Sequence, residues 1–333
     1  MNMKKPYLQN KLVILLISLF LIFSLLLEAA ATCSNGLFKV GDECSSSEDC
    51  GGGLYCFSCR PRLFGCSRCV RSTYTDQFKL LNNSLPFNKY AYLTTHNSFA
   101  IEGEPSQTGV PRVTLYNQED TISQQLNEPA LDTLKVIEAF LVANTKEIVT
   151  LILEDYVQSP NGLTKVFTDA GLKKFWFPIK NMPKNGDDWP RVTDMVANNQ
   201  RLLVFTSNST KEAIEGIAYQ WNYMVENQYG NDGMKEGRCQ NRGESSRLDD
   251  KRKSLILMNY FPTVPLKIQA CEHNSKDLLG MLQTCHGAAG NRWPNFVSLD
   301  FYKRSDGGGA FQALDTLNGE LLCASEDIHS CVG

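Results

Sequence analysis

From about Thr75 onward, short apolar runs alternate with stretches whose apolar positions recur every three or four residues. That alternation predicts a parallel sheet with crossover helices. The strand candidates are Ala91–Thr95, Ile148–Leu153, Leu202–Thr206, Ser254–Met258 and Phe296–Asp300. Several are apolar throughout, as strands buried on both faces should be. The helix candidates are Asp120–Leu126, Leu131–Ala143, Thr164–Asp169, Val192–Asn198 and Asp277–Gln283. In the second of these, Leu131, Leu134, Ile137 and Leu141 keep helical spacing, and Pro129 stands near the start.

The alternation breaks once. The helix ending near Leu126 runs through Asn127-Glu128-Pro129 directly into the next, with no strand between them. A repeating β/α unit should return to the sheet there.

Ahead of this region the texture differs. Lys4, Lys5 and Lys11 precede an apolar stretch of about 16 residues from Leu12 to Leu27, and Ala29-Ala30-Ala31 supplies small residues for cleavage. This reads as a secretory signal over residues 1–31; the alternative, an uncleaved anchor, is short against the roughly 20 residues of a membrane span. The C-terminus, Cys323 to Gly333, has no hydrophobic tail and so no glycolipid-anchor signal. Residues 32–72 then form a Cys- and Gly-rich module too small to build its own core. The module holds seven of the 12 cysteines, Cys33, Cys44, Cys50, Cys56, Cys59, Cys66 and Cys69. Five more, Cys239, Cys271, Cys285, Cys323 and Cys331, lie downstream.

An exported chain pairs its cysteines by default. Both groups are odd in number, so complete pairing requires at least one bridge between module and main domain. Cys56-x-x-Cys59 and Cys66-x-x-Cys69 could instead hold zinc, but their separation is much shorter than a zinc ribbon's. Sequons at Asn82 and Asn208 are candidate glycosylation sites on the same export route. A net charge of −3 gives no reason to expect a nucleic-acid partner. Lys251-Arg252-Lys253 reads as a solvated turn.

The chemistry-bearing residues gather at predicted strand ends: His96 and Asn97, Glu154 and Asp155, Asn259 and Tyr260, and Asp300 followed by Tyr302. A histidine moves protons near neutral pH, and carboxylate and amide oxygens suit a divalent cation or polar substrate. Strand C-termini are also where β/α barrels carry their chemistry. Gly307-Gly308-Gly309 has the composition of a phosphate cradle, but no Gly-Lys-Ser/Thr signature follows and a flexible loop is the simpler reading.

The segments Ala91–Phe99, Glu147–Tyr156, Arg201–Ser207 and Phe296–Tyr302 resemble the X-domain of phosphatidylinositol-specific phospholipase C, in particular secreted plant-type members with a Cys-rich module. The resemblance implies an α/β fold: a TIM-type (β/α) barrel of the phospholipase C-like phosphodiesterase kind over residues 73–333, incomplete, behind the disulfide-rich module. It implies a phosphoric diester hydrolase of lipid metabolism acting on a phosphoinositide or glycosylinositol phosphate, touching membranes transiently. In that family a first histidine deprotonates the inositol 2-hydroxyl, which attacks phosphorus to give a cyclic phosphate; a second protonates the leaving alcohol. By the resemblance His96 is the base, Asn97 and Glu154 match ligands of Ca2+ in calcium-dependent relatives, and Asp300, Tyr302 and Asn259 are substrate-contact candidates. Metal-free relatives use an Asp after the catalytic His and an Arg in place of the metal.

One departure stands out. Two family strands, the second bearing the acid histidine, are absent between Asn127 and Glu128, which points to a skipped exon or a faulty gene model. His273, His286 and His329 lie in loop-like surroundings and read as surface residues. The competing expectation is therefore an inactive protein that binds a sugar phosphate or lipid headgroup outside the cell. A purely structural disulfide-rich protein would leave the strands and His96-Asn97 unaccounted for.

Overall fold

All five predicted strands form, with ends moved by one or two residues: β4 Tyr92–Thr95, β5 Val149–Leu153, β6 Leu202–Thr206, β9 Leu255–Tyr260 and β10 Phe296–Leu299. The computed structural model describes residues 38–59, 67–71, 75, 85–98, 100–102, 116–119 and 130–331. The signal, Cys33, Cys66, the Asn82 sequon, the helix expected at Asp120–Leu126 and the Asn127–Glu128 junction lie outside them.

Two further strands, β7 Ala218–Tyr219 and β8 Met224–Glu226, are too short to show a period. Every pairing among β4 to β10 is parallel. One sheet runs β4-β10-β9-β8 and the other β5-β6-β7. The helical turn Gln220–Tyr223 carries the chain from one sheet to the other. Among the described residues β4 and β5 each have a partner on one side only. These two open edges belong to the strands that flank the Asn127–Glu128 junction in sequence.

The two sheets share one core. Tyr92, Leu203, Phe205, Met224, Leu255, Leu257 and Phe296 meet in a cluster with Phe87, Phe177 and Trp189, which plug the N-terminal strand ends. On the outer faces, helices α1 (Ala130–Ala143) and α2 (Gly162–Asp169) cover β5 and β6. Helices α6 (Leu278–Ala288) and α7 (Gly309–Cys323) cover β4, β9 and β10. Burial on both faces is why these strands read as unbroken apolar runs. Buried Asn295 ties the N-terminal ends together, accepting from the Ile256 amide at 3.0 Å and donating to the Asn88 and Tyr90 carbonyls at 2.9 and 3.1 Å.

Helices α3 (Val192–Ala197), α4 (Thr210–Glu215) and α5 (Lys267–Glu272) are shorter. Of the seven, α4, α5 and α7 carried no clear sequence signal. In α7 the cause is glycine: Gly309 opens it and Gly319 sits inside it, lowering its propensity. Gly319 is needed there because a Cβ would lie 2.3 Å from the Ser325 carbonyl oxygen.

The Cys-rich module is a three-stranded antiparallel sheet of β1 (Glu43–Cys44), β2 (Leu54–Phe57) and β3 (Ser67–Arg71). Bridges Cys44–Cys56 and Cys50–Cys69 replace the core it lacks. Cys239–Cys285 and Cys323–Cys331 lie within the main domain. Cys59–Cys271 is the bridge between the two parts that the odd counts required, and Cys56 and Cys59 take different disulfide partners. Arg71 adds an ion pair at 2.5 Å to buried Asp315 of α7. The glycine triple packs against this module: a Cβ on Gly308 would lie 3.1 Å from Val40 and 2.5 Å from Gln312. Close approach accounts for Gly308 and left-handed backbone (φ 65°) for Gly309, whereas a Cβ on Gly307 would meet nothing.

Cys59 and Cys271 stand 212 residues apart. Closing so long a loop in the unfolded chain is worth up to about 4 kcal/mol. A Cys59→Ser/Cys271→Ser double variant is expected to lose most of that, read as a lower thermal midpoint; an unchanged midpoint would show that the module contributes no anchoring.

Candidate active site

Strand alternation decides which side chains reach the mouth. Tyr92, Phe296 and Leu257 lie in one row across β4, β10 and β9, with Thr94, Ser298 and Asn259 in the next. Tyr92, Phe296 and Leu257 face the shared core, so the period of two carries His96, Asp300 and Phe261 to the same side one row further on.

There they meet. The His96 Nδ1 lies 3.0 Å from Asp300 Oδ1. Asn117 Nδ2 donates to the same oxygen at 2.9 Å, and Asn97 Nδ2 donates to Asn117 Oδ1 at 3.4 Å. A carboxylate only accepts, so this network assigns the His96 proton to Nδ1 and leaves the Nε2 lone pair available as a base. Phe261 stacks on the imidazole at 3.5 Å between centroids and 4° between planes. The His96 side chain is 26% exposed and that of Asp300 only 3%: the imidazole is reachable and its carboxylate partner is not.

The surrounding backbone is held hard. Gln118 Nε2 bridges the His96 and Leu299 carbonyls at 2.8 and 2.9 Å. Asn274 Nδ2 does the same for Asp300 and Phe301 at 2.9 and 3.1 Å. Asn97 (φ 44°) and Phe301 (φ 45°), each directly after a member of the pair, occupy left-handed backbone. For Phe301 that costs on the order of 1–3 kcal/mol and persists only where neighbours enforce it. Glu119 anchors the Asn117-Gln118 segment by a bidentate pair with Arg304 at 2.6 Å. Burial works against the Glu119 charge, but Arg304 and Lys267 outweigh it and hold the carboxyl below its usual range.

Glu154 stands apart from this pair. Its side chain is 62% exposed and 3.6 Å from Arg242 Nη2. Arg242 is locked below it by Glu226 at 3.2 Å and Glu244 at 3.0 Å, and its guanidinium lies over the rings of Trp221 and Tyr229. Burial disfavours the Arg242 charge, yet Glu244 and Glu226 more than offset it and raise its proton affinity. Buried Glu226 also accepts from Gln220, Trp221 and Asn259 at 2.8–2.9 Å.

Calcium needs about six to eight oxygen ligands. Among the described residues no group of three or more His, Cys, Asp or Glu ligand atoms includes Glu154; every such group contains disulfide cysteines. With Arg242 beside Glu154, the described residues do not fit calcium.

The other expected site residues sit as follows. Asn259 and Tyr260 belong to β9 rather than following it. Asn259 is buried, its amide spent on Glu226 and the Asn227 carbonyl. Tyr302 is buried in the helix-facing core, edge-on to Phe311. Asp155 caps its own loop through Val157 N, with Thr206 Oγ1 donating to it at 3.0 Å. Asn208 is partly exposed and accepts from the Thr210 hydroxyl at 2.8 Å. His329 is exposed beside Asp327, and His286 stacks on Trp293. His273 departs from the surface expectation: it caps α5, is only partly exposed, and its Nδ1 is buried.

Asn117, Phe261, Arg242 and Glu226 were not singled out by sequence. Glu226 had a usable signal, since Met224-Val225-Glu226 repeats the apolar-then-acid ending of Leu153-Glu154 and Leu299-Asp300.

The PI-PLC X family model (PI-PLC X 1) matches residues 116–318. A PI-PLC X domain-containing protein of Arabidopsis thaliana is 46% identical over 335 residues, covering 91% of this chain and 78% of its own length. The chain belongs to the PI-PLC X domain family. No solved structure matches it. The 335 aligned positions exceed all 333 residues here although only 91% of the chain takes part, so the relative carries positions with no counterpart in this chain.

Proposed function

We propose that this protein is a secreted phosphodiesterase of the phospholipase C type, acting on an inositol phosphodiester, with only the base half of its catalytic machinery in place. The observation that carries the reading is the His96–Asp300 pair at 3.0 Å, at the C-terminal ends of adjacent strands β4 and β10. Nε2 of His96 takes the proton of the inositol 2-hydroxyl as its oxygen attacks phosphorus. Asp300 stabilises the imidazolium that forms, and the face of Phe261 adds a cation–π contribution. The phosphorus–oxygen bond to the alcohol breaks, leaving a cyclic phosphate.

The alcohol needs a proton. In the family reading a second histidine supplies it, but none of the other three histidines contacts His96. We place the stretch without counterpart at Asn127–Glu128, which matches the open edges of β4 and β5, and with it the closure of a TIM-type barrel. A water must then serve as the acid, so turnover is slow while headgroup binding persists.

Lipid access is supported by the rim. Tyr156 (79% exposed), Tyr229, Val264 and Leu266 stand on loops after strand ends, with Ile268 in the first turn of α5, and present apolar surface. Export is supported by five disulfides among the described residues. No helix among them is long and apolar enough to cross a membrane.

Purified protein given phosphatidylinositol vesicles, with and without calcium, is expected to release cyclic inositol phosphate slowly. His96→Ala should lower that release by at least about 100-fold. Release that is indifferent to His96 would sink the proposal; specific headgroup binding with no release would favour the binding-only reading.

A further inference from the structure

Among the described residues, three buried polar atoms around His96 and Asp300 lack a hydrogen-bond partner, Gln118 Oε1, Asp300 Oδ2 and His273 Nδ1, and the last two belong together. Both residues line the same narrow cleft, walled by Tyr260, Asn274 and Phe301, whose free space for the centre of a water-sized sphere is about 10 Å³. That matches the smallest cavity that holds one water, and a water is retained where at least two polar partners face it. A carboxylate oxygen left unpaired in so buried a place costs about 1–3 kcal/mol or more. His273 can donate through Nδ1, and an intervening water can donate onward to Asp300.

We propose that His273 is a positioning residue of the site, joined to Asp300 Oδ2 through a single buried water. The relay then runs from His273 to the water, to Asp300, and through Oδ1 to His96. With both carboxylate oxygens engaged, the carboxylate plane is fixed, and with it the plane of the His96 ring. Asn117 and His96 share Oδ1; among the described residues nothing else holds Oδ2.

The local chemistry suits a neutral donor. Burial pushes the His273 imidazole below its ordinary value, against Glu272 and Asp277, which pull it up. The charged groups nearby on other elements are Asp300 itself, Asp306 and Arg304, all beyond the C-terminal end of β10. The segment is also anchored, since Cys271, two residues before His273, is bonded to Cys59 of the small module.

The role of His273 rests on the proposed reading of His96, whereas the water does not, and the test separates them. A crystal structure of the full chain should show one water within about 3.2 Å of both Asp300 Oδ2 and His273 Nδ1. In His273→Phe that water should be lost and the imidazole ¹⁵N resonances of His96 should shift. His273→Asn, which keeps a polar group near the Nδ1 position, should restore both. Where slow phosphodiester cleavage is measurable, His273→Phe should lower kcat about tenfold at constant KM. No bridging water, or His96 resonances unmoved in His273→Phe, would overturn the proposal. A bridging water together with a His96-independent reaction would instead overturn the functional reading and leave the water link standing.

Discussion

Inserting between Asn127 and Glu128 the stretch that the Arabidopsis relative carries without counterpart here is expected to raise turnover about 10²–10⁴-fold. The size follows from the missing acid: a positioned proton donor for the leaving alcohol lowers the barrier by roughly 3–5.5 kcal/mol. The place follows from topology. Among the described residues strands β4 and β5 each form one open edge of their sheets, and they are the two edges that flank that junction in sequence. Exposed parallel edges invite non-native pairing, so the same insertion should suppress self-association. Initial-rate measurements of cyclic phosphate release on the original and extended chains decide the matter. Equal rates would place the acid elsewhere, or show that the reaction needs none.

Replacing Glu226 by alanine is expected to destabilise the fold by about 3–5 kcal/mol, the cost of stranding buried partners of a removed charge. Four side chains donate to this carboxylate: Arg242 and Asn259 on one oxygen, Gln220 and Trp221 on the other. Its side chain is 3% exposed, so solvent cannot replace it. Glu226 also pairs with Arg242; without it the ion pairs left to Arg242 are those with Glu244 and Glu154. Thermal unfolding should show a midpoint lower by roughly 10 °C. A loss under about 1 kcal/mol would mean that the neighbours repair themselves, and that the network is a surface feature rather than the floor of the site.

Much of this arrangement was legible in the sequence. The apolar runs announced five strands because both faces of each sheet are covered, and their last residues carried the chemistry because alternation brings strand ends to one rim. His96 and Asp300 could thus be named, though not that they touch: they lie far apart in the chain, and only the pairing of β4 with β10 brings them together. Phe261, Asn117 and Arg242 were missed for the same reason, each being placed by long-range packing from a loop without periodicity. Asn259 and Tyr302 looked available at strand ends and are instead enclosed, one by a buried carboxylate and one by α7. His273 lay in loop-like sequence, yet it caps α5 with its Nδ1 buried. The odd cysteine counts, by contrast, demanded an inter-domain bridge by arithmetic alone, and Cys59–Cys271 supplies it.

On the proposed reading, His96, held by Asp300, drives attack by the substrate's own hydroxyl. The most direct test is ³¹P NMR of the first product formed from phosphatidylinositol by this chain and by its His96→Ala variant. The account predicts a five-membered cyclic phosphate resonance from the parent chain that vanishes in the variant. A first product that is already the open phosphomonoester, or a cyclic product that persists without His96, would contradict it.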